Sequence, residues 1–352
     1  MKVLFYVRAN NEKVKGGDLI QVYKTGEAIQ KEGITLDYSS NPRADLSGYD
    51  LVHIFNSPRF EETKSFFDNA KKYNLPIAFS TIFWSKDELA VGIAKNRSVE
   101  FVYRNFGVEV AKKYRKIAKK IQTNFKREKS FAIEKYLLQR ADILLPNSKG
   151  EMTEIEKTFK IKNDFCVVRN AVDTSLFEKV PYKNRNNYVL SVGRVERRKN
   201  TLKLIQACRE LGLELVLVGG YDENDEYATD CLDKVRAYGQ TYIANVEQKE
   251  LIKYYYQAKV HAIVSWYETP GLASLEAACG GCNIVTTDRG STKEYFGSLA
   301  VYCDPFSQES IEKALEKAMK APIKEELRNK IIKNYNWRGA ALDTIKGYNR
   351  IK

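Results

Sequence analysis

Short apolar segments alternate with amphipathic segments along the whole chain, and this alternation restricts the possible folds more than any other feature. Apolar runs of this kind predict buried strands, and the segments between them have helical periodicity. The predicted strands cover residues 3–7, 35–38, 51–55, 77–80, 143–145, 165–168, 188–192, 213–218, 241–243, 260–264, 283–286 and 300–302. Strands that alternate with helices form parallel sheets covered on both faces. The sequence therefore predicts an α/β protein with doubly wound sheets.

A polar stretch at residues 181–187 divides this alternation into two series. The 352 residues are enough for two domains of ordinary size. We therefore expect two Rossmann-like doubly wound domains, at residues 1–175 and 176–335, that face a cleft. Because ligands of such sheets bind at the carboxyl ends of the strands, the cleft is the expected binding site.

The composition is that of a globular protein, with 43% hydrophobic residues and no run of membrane-spanning length. The apolar run at the start is too short for a secretory signal and is expected to form a buried strand. Cys279 and Cys282 form a C-x-x-C, but no second pair and no nearby histidine suggest a metal or redox site. Reduced thiols and a cytoplasmic location are expected.

Two carboxylates, Glu268 and Glu276, flank Pro270 and Gly271 between a strand-like run and a helix of small residues. A strand-to-helix loop presents unpaired N–H groups at the positive end of the helix dipole, which suits a phosphate. The carboxylates would repel a phosphate, so we expect them to accept hydrogen bonds from hydroxyl groups. Phosphate and hydroxyl groups at one loop predict a sugar nucleotide as the ligand.

A second loop carries cations at the end of a strand. Gly193 ends the first strand of the second series, and Arg194 and Lys199 follow on the loop. Two cations at this place can neutralise a diphosphate as it leaves. The alternative is a solvated basic turn. The position at the start of a Rossmann-like domain favours the first interpretation, because that loop faces the cleft.

The order of these motifs resembles that of retaining glycosyltransferases of family 4, which have the GT-B fold. The loop reads G-R-x-x-x-x-K-N from Gly193 to Asn200, and E-x7-E from Glu268 to Glu276 follows before a helix. The resemblance extends along the chain through Gly16-Gly17, Asn147-Ser148, Arg169-Asn-Ala-Val-Asp173 and Asn336-Trp-Arg338. Residues 336–352 are similar to the helix that returns to the first domain in this family.

The resemblance implies a role for each matching residue. Arg194 and Lys199 would bind the two phosphates of the donor, and Glu268 would contact the sugar hydroxyls; these three form the implied catalytic set. The donor would be held further by Glu276 at the ribose, by the backbone N–H groups of Gly271, Leu272 and Ala273, and by Gly16 and Gly17, which admit a phosphate close to the backbone.

The implied reaction retains the configuration at the anomeric carbon of a UDP-, GDP- or similar nucleotide sugar. The resemblance implies neither a cofactor nor a divalent metal, since cations and a helix end would neutralise the leaving diphosphate.

Three positions depart from the family pattern. Pro270 has no N–H, so one backbone donor is missing there. Many members carry a histidine where this chain has Thr81-Ile-Phe-Trp84, and usually a glycine where it has Ala244. The transferred sugar and the donor base therefore stay open.

The chain has only two histidines. His53 ends a strand on the cleft side of the first domain, and it is either a hydrogen-bonded, partly buried residue or an acceptor-side group. His261 lies within a predicted buried strand and is expected to serve packing. So few histidines argue against a histidine-dependent dehydrogenase or a triad hydrolase.

The net charge of +13 is concentrated in a predicted basic amphipathic helix at residues 108–129 of the first domain. Its apolar positions are Tyr114, Ile117, Ala118, Ile121 and Phe125. The helix could be solvated with its apolar stripe packed on the domain, or it could dock on an anionic lipid surface. Nucleic acid is the weakest alternative, because no nucleic-acid motif accompanies the charge.

The sequence thus favours a retaining glycosyltransferase that moves a sugar from a nucleotide sugar to a glycan or a lipid-linked acceptor. Surface polysaccharide, lipopolysaccharide or glycolipid biosynthesis would be the setting, in the cytoplasm or at the inner face of the membrane. The alternatives are a nucleotide-sugar epimerase or hydrolase on the same scaffold, and a non-catalytic partner subunit that binds the donor. A dinucleotide oxidoreductase is disfavoured, since no G-x-G-x-x-G follows a first strand.

Overall fold

The computed structural model describes residues 1–9, 17–56, 59–92, 97–120, 125–177, 185–244, 246–269 and 271–352. Its strands are β1 Lys2–Tyr6, β2 Thr35–Ser39, β3 Leu51–Phe55, β4 Ile77–Ser80, β5 Ile143–Leu144, β6 Asn186–Val192, β7 Glu214–Val218, β8 Thr241–Ile243, β9 Ala258–Ile263, β10 Asn283–Thr287 and β11 Val301–Cys303. Its helices are α1 Gly17–Lys31, α2 Phe60–Lys72, α3 Asp87–Gly92, α4 Arg97–Lys120, α5 Phe125–Arg140, α6 Lys149–Phe159, α7 Thr201–Glu210, α8 Glu226–Ala237, α9 Gln248–Gln257, α10 Leu272–Cys279, α11 Thr292–Phe296, α12 Gln308–Lys320, α13 Glu325–Asn334 and α14 Trp337–Tyr348.

The chain forms two compact units. Unit 1 consists of Met1–Ser85, Lys120–Ala171 and Tyr335–Lys352, and unit 2 of Lys86–Lys119 and Val172–Asn334. Each contains one sheet whose described strand pairs are parallel. The expected α/β fold with two doubly wound sheets is therefore confirmed.

Unit 1 has a five-stranded sheet in the order β2-β1-β3-β4-β5. Every residue of β3 and β4 is buried, as expected for strands covered on both faces. The C-terminal helix α14 packs against α1 in this unit, which confirms the return predicted for the end of the chain. Gly347 lies so close to Leu145 that a Cβ there would come within 2.7 Å of its side chain.

The strand predicted at residues 165–168 is wrong. Phe165 makes one isolated parallel bridge to Leu144. The N–H groups of Cys166 and Val168 donate to the carbonyl oxygens of Leu144 and Pro146 at 2.9 Å each. Because Pro146 has no N–H, it cannot return a hydrogen bond and the ladder stops there.

Unit 2 has a six-stranded sheet in the order β11-β10-β9-β6-β7-β8. The chain leaves β6 toward β7 and β8, and then continues from β9 on the other side of β6. This is the doubly wound order in which the direction reverses between the first and the fourth strand. Its core contains Val189, Leu215, Val260 and Val285, all fully buried. The reversal between β6 and β9 marks where such a sheet binds its ligand.

Unit 2 also includes residues 86–119, which lie within the range expected for the N-terminal domain. Val91 and Ala111 are buried there. The ring of Tyr103 stacks on that of Phe306 with centroids 4.2 Å apart. Gly92 lies on the ring of Trp266, since a Cβ at Gly92 would come within 2.2 Å of it. Apolar contacts therefore hold this segment to the loops after β9 and β11.

The basic helix expected at residues 108–129 falls partly on α4 and partly on α5. Residues 121–124, and with them Ile121, lie outside the described residues. Gly107 has φ 79° and ψ 175°, so α4 itself is bent there. Within the described residues, no helix is both long and apolar enough to cross a membrane.

Candidate active site

The loops after β6 and β9 meet at the reversal point of the six-stranded sheet. The N–H of Trp266 donates to the carbonyl oxygen of Arg198 at 3.0 Å, which joins the two loops by their backbones. Because β6 and β9 are neighbours in one parallel sheet, their following loops lie at the same edge. The two sequence motifs are thus brought together by the sheet.

Glu268 lies at the centre of this junction, with only 5% of its side chain exposed. Its Oε1 accepts hydrogen bonds from Lys199 Nζ at 2.7 Å, from Ser265 Oγ at 2.6 Å and from Arg198 at 3.2 Å. Burial would raise the pKa of Glu268, but the adjacent Lys199 and Arg198 lower it to about 2. The carboxylate is therefore ionised and fixed in place.

The two predicted cations differ in their surroundings. Lys199 is largely buried, and burial lowers its pKa although the charge of Glu268 opposes this effect. Arg194 is exposed, and no ion pair within the described ranges includes it. Lys199 is thus held by Glu268, whereas Arg194 stays open to an anion.

Arg198 is a site residue that the sequence reasoning missed. It lies between Glu196, at 2.9 Å, and Glu268, at 3.2 Å. Its guanidinium also lies 5.4 Å from the ring centroid of Tyr267. The available signal was the run of cations from Arg197 to Lys199, which continues the loop as one turn of 3-10 helix.

The helix α10 begins after Gly271, at the turn where the sequence predicts an anion seat. Gly271 precedes the helix with φ +87°, a conformation that L side chains rarely adopt. A Cβ there would also come within 3.2 Å of Glu268 Oε2. No acceptor for the N–H groups of Leu272 and Ala273 occurs in the described part of the chain. Pro270, next to this seat, lies outside the described residues.

Glu276 lies on α10 and is partly buried. Its oxygens accept hydrogen bonds from Gln248 Nε2 and Tyr255 Oη, each at 2.9 Å, both from α9. Burial raises the pKa of Glu276, and these two donors oppose the increase. The two hydrogen bonds from α9 therefore fix the orientation of the Glu276 carboxylate.

The backbone of Glu268 is held by the loop after β10. Its N–H donates to the carbonyl oxygen of Arg289 at 3.2 Å, and its carbonyl oxygen accepts from Ser291 N–H at 2.9 Å. Gly290 lies between these contacts with φ +95°, and a Cβ there would come within 1.9 Å of the Glu268 carbonyl oxygen. A third loop thus fixes the central carboxylate.

At the carboxyl edge of the sheet in unit 1, a buried carboxylate joins three loops. Glu151 accepts hydrogen bonds from Thr81 Oγ1, from Phe83 N–H at 2.8 Å and from Asn147 N–H at 2.9 Å. Gln21 of α1 donates to Asn147 Oδ1 at 2.9 Å. The turn at Asn147-Ser148 is therefore tied to the loop that contains Thr81 and Phe83. Gly17 is the first residue of α1, and Gly16 lies outside the described residues.

His53 is 1% exposed, which corrects the acceptor-side role predicted for it. Its Nδ1 lies 2.6 Å from Tyr348 Oη of α14, and its Nε2 lies 2.8 Å from Ser80 Oγ. No part of the ring is open to an acceptor, so His53 holds α14 to the sheet. His261 is fully buried on β9, in agreement with a packing role.

Lowering the pH from 7 to 5 is expected to destabilise the protein through these two histidines. Burial lowers the pKa of His53 to about 3, and burial with the nearby Lys199 does the same for His261, from an ordinary value of 6.5. The neutral rings therefore stabilise the fold fully above pH 6.5, and this contribution is lost as the pH falls toward 3. At pH values between the two pKa values, each ring adds about 1.4 kcal/mol per pH unit to the slope of the unfolding free energy. Near pH 6.5 its contribution to the slope is about half as large.

Urea unfolding between pH 5 and 7 measures this slope. The variant His53→Gln should reduce it by roughly one histidine's share, whatever its effect on absolute stability. An unchanged slope in the variant would show that His53 does not titrate on unfolding.

The cysteines, and the other residue types that bind metals, are the possible metal ligands within the described residues. All six cysteines are free and buried. Cys282 Sγ donates to the carbonyl oxygen of Tyr255 at 3.1 Å. No three His, Cys, Asp or Glu side chains in the described ranges come together as a group that could hold a metal ion.

Comparison with known proteins shows which proteins this chain is similar to. Residues 172–336, which include the whole junction of Lys199, Glu268 and Glu276, match the family model described as Glycosyl transferases group 1. A transferase of Campylobacter jejuni, N-acetylgalactosamine-N,N'-diacetylbacillosaminyl-diphospho-undecaprenol 4-alpha-N-acetylgalactosaminyltransferase, is 28% identical over 232 residues. The match covers 60% of this chain and 59% of that relative, so the chain spans about three-fifths of the relative's length.

Solved structures of similar fold cover nearly the whole chain. Sucrose-phosphate synthase from Thermosynechococcus elongatus matches with a TM-score of 0.76 and 17% identity, over 99% of this chain and 98% of that one. Anabaena HepE in complex with UDP and glucose matches with a TM-score of 0.62 and 13% identity, over 100% and 96%. The GT-B fold expected from the sequence is thus confirmed, and the resemblance to glycosyltransferases holds.

Proposed function

We propose that this protein is a retaining glycosyltransferase that transfers a sugar from a nucleotide-diphosphate sugar to a glycan or a lipid-linked acceptor. The observation that carries the proposal is the junction of Lys199, Arg198 and Glu268 at the reversal point of the unit 2 sheet. A doubly wound sheet binds its ligand at that point. The same junction lies in the stretch that matches the glycosyltransferase family model.

Each part of the site corresponds to one part of a nucleotide sugar. Arg194, which is exposed, and Lys199 would meet the diphosphate together with the N-terminus of α10. The ionised Glu268 would accept hydrogen bonds from the sugar hydroxyls, and Glu276 from the ribose. In the reaction, the bond between the anomeric carbon and the phosphate oxygen breaks. The acceptor oxygen bonds on the same face, and its proton passes to the departing phosphate.

In this proposal the side chains of Arg194 and Lys199, and no metal ion, stabilise the negative charge that develops on the diphosphate. Chelation of divalent ions with EDTA is therefore expected to leave most of the activity in place. Release of nucleotide diphosphate, followed with and without chelator, measures this. Complete loss that is restored by added magnesium would contradict the metal-free proposal.

Thermal-shift screening with nucleotide diphosphates and their sugars tests the function, because a ligand that binds only the folded chain raises its melting temperature. We expect one base to give the largest shift, and Glu276→Ala to weaken that binding in calorimetry. Glu250→Ala, on an exposed part of α9, serves as the control. If no nucleotide shifts the melting temperature of the wild-type protein, the proposed function fails.

We propose a lipid-linked acceptor in surface polysaccharide or glycolipid biosynthesis. Support comes from the Campylobacter relative, whose name gives a diphospho-undecaprenol acceptor. Support also comes from α4, where Phe101 and Phe106 are each 62% exposed, Val110 is 45% exposed and Tyr114 is 37% exposed. Exposed aromatic residues beside lysines such as Lys113 suit an anionic membrane surface. Nucleic acid is not proposed as a partner.

Sedimentation with vesicles tests this surface. We expect binding to vesicles of phosphatidylcholine with phosphatidylglycerol, and little binding to phosphatidylcholine alone, because each cation near an anionic surface contributes about 1 kcal/mol. The double variant Phe101→Ser, Phe106→Ser should weaken binding by about tenfold or more. Tyr73→Ser, which alters an aromatic residue of unit 1 that is 40% exposed, is the control. Equal binding to neutral vesicles, or none to either, would contradict the proposal.

A further inference from the structure

The segment 86–119 is joined to the loop after β10 by a chain of ion pairs within unit 2. Glu88 Oε2 lies 2.8 Å from Arg289 Nε, and Glu88 Oε1 lies 2.9 Å from Lys112 Nζ. The side chains of Glu88, Arg289 and Lys112 are 22%, 24% and 15% exposed. Such partly buried, directional pairs fix a loop more firmly than exposed ones.

Arg289 also contacts two carboxylates from the loops after β10 and β11. Its guanidinium contacts Asp288 and lies 3.5 Å from Asp304 Oδ1. Asp304 Oδ1 in turn accepts from Phe306 N–H at 3.0 Å. Arg289 therefore connects the loops after β10 and β11 with α3.

The backbone around Arg289 is the part that positions Glu268. The Arg289 carbonyl accepts from the Glu268 N–H, and the Ser291 N–H donates to the Glu268 carbonyl. Gly290 lies against the Glu268 backbone, where no side chain would fit. A shift of the Arg289 loop must therefore shift Glu268, whose carboxylate faces Lys199 across the site.

We propose that Glu88 and Arg289 are positioning residues for Glu268, so that a segment from the N-terminal half of the sequence helps to set recognition of the donor sugar. The inference rests on the proposed function, in which Glu268 contacts the sugar hydroxyls. In this proposal Glu88 and Arg289 have no contact with the donor. Their effect reaches it through the backbone of Glu268.

This arrangement separates two parts of donor binding. The nucleotide diphosphate is bound by Arg194, Lys199, Glu276 and the start of α10, whereas the sugar depends on Glu268. Loss of the pair between Glu88 and Arg289 should therefore weaken binding of the nucleotide sugar much more than binding of the nucleotide diphosphate, to which Glu268 is linked only through Lys199. A residue that only stabilised the fold would change both affinities alike or neither.

Calorimetry on the full-length chain tests the inference with Glu88→Gln, which keeps the shape and removes the charge. UDP with UDP-glucose and GDP with GDP-mannose are the probes, and the pair that binds the wild-type protein is used. We expect affinity for the nucleotide sugar to fall by about fivefold to tenfold, the loss of one charge-assisted hydrogen bond. Affinity for the diphosphate should change by less than about twofold.

Two further variants complete the experiment. Lys293→Gln removes a cation that lies 3.2 Å from Asp288 and is 62% exposed, and it should leave both affinities unchanged. Arg289→Lys keeps the charge but loses the Nε–H that donates to Glu88 Oε2, and it should reproduce the selective loss if Glu88→Gln fails to fold. Equal changes in both affinities, or no change, would overturn the inference. Absence of any nucleotide binding in the wild-type protein would overturn the proposed function and this inference with it.

Discussion

Replacing Lys199 by alanine is expected to lower turnover by on the order of 10²-fold or more, the usual effect of removing one fixed charge from a site where charge develops. Lys199 Nζ is 2.7 Å from Glu268 Oε1 and largely buried. The ion pair therefore fixes the orientation of this cation. The measurement is the rate of nucleotide diphosphate release at saturating donor.

The fold should survive this change, because Glu268 keeps Arg198 at 3.2 Å and Ser265 at 2.6 Å as partners. Lys234→Ala is the matched control: it removes another lysine paired to a carboxylate, Asp230 at 3.2 Å, on the far helix α8 of the same unit. It should leave turnover unchanged. Wild-type turnover in Lys199→Ala would reject the assigned role.

Gly290→Ala is expected to destabilise the protein by at least about 2 kcal/mol, and to lower activity further than the loss of folded protein explains. The residue has φ +95°, and its new Cβ would lie 1.9 Å from the Glu268 carbonyl oxygen. The clashing atoms belong to the backbone of Glu268, which cannot move aside as easily as the end of a flexible side chain. Relief of the clash must therefore displace Glu268 or the loop after β10.

The control for backbone strain is Gly239→Ala. Gly239 also has a positive φ, +64°, but nothing lies within 4 Å of its virtual Cβ. It should lose stability through strain alone and keep its activity per folded molecule. Unfolding free energies from urea titration and turnover per active site separate the two effects. If both variants lose the same unfolding free energy and keep the same turnover per active site, the close approach of Gly290 to Glu268 does not affect activity.

The fold could be predicted because strand and helix patterns are local. The predicted strand at residues 51–55 agrees with β3, and the predicted strand at residues 241–243 agrees with β8. The strand at residues 165–168 failed for a tertiary reason: its partner β5 is short and ends before Pro146. Apolar residues there occupy the core without a ladder, as Cys166 and Val168 show.

The site could be predicted only where a motif and a strand end coincide. Lys199 and Glu268 meet as expected, because they follow neighbouring strands. Arg289 and Glu88 are far apart in sequence, and no local pattern joins an α3 carboxylate to a loop beyond β10. For His53, the position near a strand end suggested an accessible side chain. The helix α14, from the end of the sequence, covers this position, and no local pattern indicates that contact.

The packing of Gly92 on Trp266 and of Tyr103 on Phe306 bears on any attempt to isolate the C-terminal part of the chain that carries the six-stranded sheet. A fragment starting at Val172 would include every strand of the six-stranded sheet, yet two of its aromatic rings would lose their cover and Arg289 would lose its partner Glu88. Such a fragment would tend to aggregate. Joining residues 86–119 to its N-terminus through a short linker would restore the missing surface.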